Sequence, residues 1–125
     1  MVARRFGLLL LVVALLAALP ARAADARRHA PPTSVGVSAR EYRFAAYRTS
    51  ALGGIVRFNL ANYGEDAHDL VVETRDGRDV GRTGELNSGR RTTLTLRLAP
   101  GTYRLICDLA DHEARGMRTT FRVTR

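Results

Sequence analysis

An all-β fold, an antiparallel Greek-key β-sandwich, is what the sequence predicts, and three observations carry the prediction. Short segments of alternating polarity recur along the chain, turn residues cluster between them, and no stretch keeps a helical period long enough for an amphipathic helix. A half-buried strand shows one face to the core and one to water, so its polarity alternates with a period of two.

The chain opens with Arg4 and Arg5, an unbroken apolar run from Phe6 to Leu19, then Pro20 and the small-residue sequence Ala21-Arg22-Ala23. This is the pattern of a secretory signal peptide over residues 1–23. The run is too short for the roughly 20 residues that span a hydrocarbon core, so no stable membrane span is expected once the signal is removed. Residues 24–34, "ADARRHAPPTS", are charged and contain Pro31 and Pro32, and they read as a flexible arm. Residues 35–125 remain for one domain, of a size that folds alone.

Within that domain, "VGVSAREYRF" places Val35 and Val37 on one parity and Tyr42 and Phe44 on the other, which predicts a bulge or break between them. In "IVRFNL", Val56, Phe58 and Leu60 share a face opposite Arg57 and Asn59. "HDLVVE" puts His68, Leu70 and Val72 together. Residues 74–89 fit no strand pattern and are expected to form a loop or a single helical turn. Leu94, Leu96 and Leu98 alternate with Thr95 and Arg97, and Pro100-Gly101 then supplies a turn. "YRLIC" aligns Tyr103, Leu105 and Cys107, and "MRTTFRV" aligns Met117, Thr119, Phe121 and Val123.

All 20 basic residues are arginine, and the formal net charge is +8. Loss of Arg4, Arg5 and Arg22 with the signal would bring it to +5. An exported protein, periplasmic or extracellular, rarely meets nucleic acid, so the charge suits solubility or an acidic protein partner. There is one cysteine, Cys107, so no internal disulfide can form. Its thiol is an oxidation liability in such a compartment unless it is buried, paired with another chain, or bound to a metal.

Cys107, His112 and Met117 lie within eleven residues, "CDLADHEARGM", and Met117 is the only methionine besides Met1. By parity His68, Cys107 and Met117 each point to the apolar side of a strand, His68 at the start of one, Cys107 at the end of one and Met117 at the opening of the last. All three can meet at one pole of a sandwich, with His112 folding back from the loop between Cys107 and Met117. Two imidazoles, one thiolate and one thioether form a donor set suited to a copper ion that cycles between two oxidation states. Zinc usually takes four strong N or S donors, or three plus water, and seldom uses Met.

On these residues the chain resembles a small cupredoxin, a type 1 blue copper protein of the plastocyanin and azurin class. "NYGEDAHDLVVE" resembles the segment carrying the family's first histidine, and "LAPGTYRLICDLADHEARGM" resembles its Pro-Gly turn, its cysteine-ending strand and its ligand loop. The resemblance covers roughly residues 35 to 125. It implies one copper per chain, with His68, Cys107 and His112 as equatorial ligands and Met117 as the axial one. Two positions depart from the family pattern: Asp69 stands where Asn is frequent and Asp111 where Gly is common. Both bear on the hydrogen bonds that tune a site's potential.

The function implied is that of an exported one-electron carrier, a monomer working between a redox donor and a redox acceptor, with His112 as the electron exit. Arg115 and Arg118, near that pole, are expected to orient an acidic partner. Delivery or storage of cuprous ion is the alternative, and a metal-free binding module a further one. No nucleophile constellation or phosphate loop accompanies the cluster, so catalysis is not expected. Asp66, Asp69, Asp108, Asp111 and Glu113 are expected to form a solvated acidic rim, partly neutralised by Arg115 and Arg118. His29 is expected in the solvated arm; cleavage after Ala26 would instead leave Arg27-Arg28-His29 as an amino-terminal chelator of cupric ion.

Overall fold

Alternating strands with one apolar face can hide it only against a second sheet, and that is the arrangement found. The computed structural model describes residues 30–125, so the signal segment, the first part of the arm and His29 lie outside the described residues. Nine strands run in order: β1 (Thr33–Arg40), β2 (Arg43–Ala46), β3 (Ser50–Leu52), β4 (Gly54–Asn62), β5 (Val71–Thr74), β6 (Asp79–Arg82), β7 (Arg91–Leu98), β8 (Gly101–Ile106) and β9 (Arg118–Thr124). One sheet has the order β2-β1-β4-β7 and the other β3-β9-β8-β5-β6. Among the described residues no helix is long and apolar enough to cross a membrane.

The core forms where the two inner faces meet. Val35, Val37 and Ala39 of β1 and Val56, Phe58 and Leu60 of β4 face Val72, Leu105, Phe121 and Val123 from the other sheet, all of them buried. Phe58 and Phe121 meet edge to face at 5.2 Å across the sandwich. A large apolar side chain buried in this way contributes about 1.5–3 kcal/mol relative to exposure. The Pro100-Gly101 turn is tied by the Tyr103 hydroxyl, which donates to the Ala99 carbonyl at 2.8 Å.

The all-β sandwich is as the alternation predicts, and the pairing adds parallel neighbours to an otherwise antiparallel scheme. β1 runs parallel to β4, and β3 parallel to β9. After β2 the chain crosses to the other sheet for β3 and returns as β4 beside β1, so β4 enters in the same direction. Side-chain alternation fixes which face a residue takes but not the direction of its neighbour.

Three local expectations change. The parity break after Val37 is a hairpin turn: Arg40 pairs with Arg43 across Glu41 and Tyr42, with Tyr42 at a φ of 56°. Residues 74–89 hold β6, paired with β5, in place of a plain loop or helical turn. β6 is a short edge strand with little buried side-chain surface, and Gly81 lies where a side chain would strike Leu96, so its ladder leaves no alternating apolar signature. Thr33 and Ser34, expected in the arm, are the first residues of β1.

Candidate metal centre

Strand β8 ends at Ile106 and β9 starts at Arg118, and these two residues are the last pair of their ladder. Cys107 and Met117 therefore continue the two strands side by side, outside the ladder by one residue each. The Cys107 N–H donates to the Met117 carbonyl at 3.1 Å, and the Met117 N–H donates to the His112 carbonyl at 2.9 Å. This lacing closes the loop onto itself: His112 N–H also donates to Leu109 O at 3.1 Å, and Gly116, at φ 110°, supplies the backbone conformation of the final turn.

His68 arrives differently from the expectation. It does not begin β5, which starts at Val71; it forms an isolated bridge to Leu86, with its N–H donating to the Leu86 carbonyl at 3.1 Å and its carbonyl accepting the Leu86 N–H at 2.8 Å. The segment that carries it is fastened by Asn62, a buried residue at the end of β4. The Asn62 amide donates to Asp66 O at 2.7 Å and to Leu86 O at 2.8 Å, while its oxygen accepts from Gly64 N–H at 2.8 Å.

Three donor atoms converge at this pole. His68 Nδ1 lies 3.2 Å from His112 Nδ1 and 4.0 Å from Cys107 Sγ, and Cys107 Sγ lies 3.5 Å from His112 Nδ1. A point equidistant from the three sits about 2.1 Å from each, a metal–nitrogen bond length and a little under the ~2.3 Å of a metal–thiolate bond. The donor atoms stand at the spacing of ligands around one ion, and the residues fit a transition metal. His68 and Cys107 are fully buried and His112 is 7% exposed. Met117 is fully buried in the same core cluster.

Burial governs the protonation of the metal-free cluster. Desolvation pushes the Cys107 thiol up to about 11, against the pull of nearby Asp69 and Leu109 amides that favour the thiolate. Desolvation, and then the neighbouring His112, lower the pKa of His68, which keeps its imidazole neutral and able to donate a lone pair. His68 Nε2, on the far side of the ring, has no hydrogen-bond partner and lies 3.9 Å from Glu41 Oε1.

Several surrounding residues were not legible in the sequence. Glu41, from the β1–β2 turn, accepts the N–H groups of Glu65 and Asp66 with one carboxylate oxygen, so a residue far along the chain braces the His68 segment. Its own backbone N–H first, and then those of Glu65 and Asp66, hold the Glu41 carboxyl below its usual pKa. Tyr42 packs edge-on against the His112 ring at 5.3 Å. Asp69, one of the two departures noted above, is buried and accepts the Asp108 N–H at 2.7 Å. It is therefore part of the scaffold rather than of a solvated rim. Arg115 is committed elsewhere: it pairs with Asp111 at 2.8 Å and lies 4.4 Å over the Tyr42 ring. This is the partial neutralisation of the acidic rim expected of Arg115, and Arg118 has no carboxylate partner among the described residues.

No family model and no curated protein matches the sequence. The fold does match solved structures. Auracyanin B is 26% identical with a TM-score of 0.67, over 78% of this chain and 93% of its own. Auracyanin A, a "blue" copper protein from Chloroflexus aurantiacus, is 16% identical with a TM-score of 0.63, over 75% of this chain and 100% of its own. Rusticyanin from Thiobacillus ferrooxidans is 18% identical with a TM-score of 0.65, over 74% of this chain and 77% of its own.

Proposed function

We propose that this chain, a small cupredoxin by its fold and its His-Cys-His cluster, is an exported one-electron carrier that holds a single copper ion through His68, Cys107, His112 and Met117. The observation that carries the proposal is the convergence of His68 Nδ1, His112 Nδ1 and Cys107 Sγ at ligand spacing in a buried pocket. When bound, copper supplies the one-electron couple, cycling between cuprous and cupric states with a soft thiolate and two imidazoles around it.

The chain's own part is to hold geometry still and water out. Cys107 and Met117 are fixed by the β8–β9 backbone, His68 by its bridge to Leu86, and His112 by the laced loop and the Tyr42 ring. Donors that do not move when the charge changes keep the reorganisation cost of electron transfer low. The Asp69 and Leu109 amides favour the thiolate form of Cys107, which a metal requires. His112, alone of the three donors with some exposure, is the natural path for an electron to leave.

Burial also argues against the metal-delivery alternative, since transfer of cuprous ion to another protein needs donors a partner can reach. An optical and spin-resonance spectrum of the oxidised, copper-loaded protein tests the assignment. An intense thiolate-to-copper charge-transfer band, abolished by Cys107→Ser, supports it; a colourless protein that gives up copper to a chelator within minutes refutes it.

A further inference from the structure

We propose that the outer face of the β2-β1-β4-β7 sheet docks an acidic protein partner, with Tyr63, held between Arg40 and Arg91, as the anchor. That the partner is a redox protein rests on the electron-carrier reading above; the docking itself stands on the charge and shape of the face.

The first observation is charge. Alternation and register turn Arg40, Arg43, Arg57, Arg91 and Arg97 to the outside of this sheet, and all five are exposed. None of the four strands contains an aspartate or glutamate. Among the described residues none of the five arginines is paired with a carboxylate. The opposite sheet is a built-in contrast: there Arg104 pairs with Glu73 and Glu113, and Arg82 with Asp79 and Asp108. That sheet pairs two of its four strand arginines and leaves Arg118 and Arg122 of β9 without a carboxylate among the described residues, whereas this sheet pairs none of its five.

The second observation is shape. Small residues, Gly36, Ser38, Ala45 and Ala61, floor a groove of about 590 Å³ walled by Tyr47 and Tyr63. Tyr47 is 91% exposed and Tyr63 48%. Arg40 and Arg91 lie 5.5 and 5.4 Å from the Tyr63 ring centroid, and Arg91 donates to the Tyr63 hydroxyl at 3.0 Å. These contacts pre-order two guanidinium forks beside an aromatic ring, and arginine and tyrosine are the side chains most enriched at protein interface centres. A concave groove suits protruding carboxylate side chains better than it suits a lipid surface, which demands a flat or apolar-tipped face.

The third observation is position. Tyr63 precedes Gly64, where a Cβ would stand 2.9 Å from His68 Nε2. A partner seated at the Tyr63 end of the groove is thus beside the metal pole without covering it. The pole itself carries the exposed carboxylates Glu41, Glu65 and Asp66, none of them paired with an arginine among the described residues, which would repel an acidic surface approaching head-on.

The test is amide chemical-shift mapping on the isotope-labelled, copper-loaded protein kept reduced, titrated with a poly-L-glutamate chain of about twenty residues at low salt. Shifts confined to Gly36, Ser38, Ala45, Ala61, Tyr63 and Arg91, vanishing near 0.5 M salt, are expected. The double change Arg40→Glu/Arg91→Glu, which removes both guanidinium groups beside Tyr63, should weaken the binding by at least about tenfold, while Arg118→Glu/Arg122→Glu on the other sheet leaves it within about twofold. Shifts centred on the Arg118 face or the metal pole overturn the proposal, as does no binding, or tighter association with phosphatidylglycerol vesicles than with the peptide. The readout is amide shifts, so it gives the same answer whether or not the metal centre proves to be a type 1 site.

Discussion

The Asp69 carboxylate accepts the backbone N–H of Asp108 at 2.7 Å, so the residue after His68 is tied directly to the residue after Cys107. Two ligand-bearing segments some forty residues apart are thereby fixed to each other by one side chain. Asn in its place would keep the acceptor and remove the negative charge. A nearby negative charge favours the oxidised, more positive metal ion. Asp69→Asn should therefore raise the reduction potential by ~60 mV, the one-electron equivalent of ~1.4 kcal/mol at a protein-like dielectric. Protein-film voltammetry reads the shift directly. Asp69→Ala, which leaves the amide of Asp108 without its partner, should also destabilise the fold by about 1–3 kcal/mol in urea titrations.

Gly64 is required by close approach. A methyl group there would stand 2.9 Å from His68 Nε2, and would also run into the Glu41 carboxylate that braces the loop. His68 is fully buried and cannot swing away. Gly64→Ala should cost about 1–3 kcal/mol of stability and weaken copper binding, measured by thermal denaturation and by competition with a cuprous chelator. A wild-type affinity would show that the His68 segment yields more easily than its hydrogen bonds imply.

Much of this arrangement is written in the sequence, and the limits are physical. The faces of β4, β8 and β9 follow from alternation, because each of these strands has the core on one side only. The same parity places Cys107 and Met117 inward, although both lie one residue beyond their strands. His68 is inward for another reason, its bridge to Leu86, so parity found the right residue by the wrong element. Glu41, Tyr42 and Asn62 were invisible because their roles arise from a turn and a strand end brought to the metal pole by tertiary packing. A lone Glu, Tyr or Asn in a strand-rich sequence carries no periodic or spacing signal. The parallel pairings were equally silent, since strand direction is decided by a crossover and not by side-chain pattern.

The metal-free protein should have a stability plateau bounded on both sides by the buried donors. The folded Cys107 pKa, about 11, lies above the ordinary 9.0, so the fold favours the neutral thiol. That contribution is complete below pH 9 and is lost as the pH climbs towards 11, with a slope of at most about 1.4 kcal/mol per pH unit. The folded His68 pKa lies below the ordinary 6.5, so its contribution is present above that pH and is lost as the pH falls beneath it. Urea midpoints of apo protein across the pH range should show both limbs. Cys107→Ser should flatten the alkaline limb alone, and His68→Gln the acid limb alone.

Tyr42 joins the backbone of one hairpin to the exposure of one ligand. It adopts a φ of 56°, a conformation that costs a non-glycine residue on the order of 1 kcal/mol. Its ring packs on His112 at 5.3 Å and is itself covered by Arg115 at 4.4 Å. Tyr42→Gly relieves the backbone cost while removing the cover, so the two effects separate: stability of the apo protein should change by less than about 1 kcal/mol, whereas His112 becomes open to water. Copper release to an excess of chelator should then accelerate by about tenfold or more, a barrier lower by roughly 1.4 kcal/mol, because the ring that shields His112 from an attacking chelator is gone. Tyr42→Phe keeps the ring and should release copper at the original rate. Equal release from the glycine and phenylalanine variants would mean that the loop's own backbone lacing, from Cys107 to Met117 to His112, holds the imidazole without help from the turn.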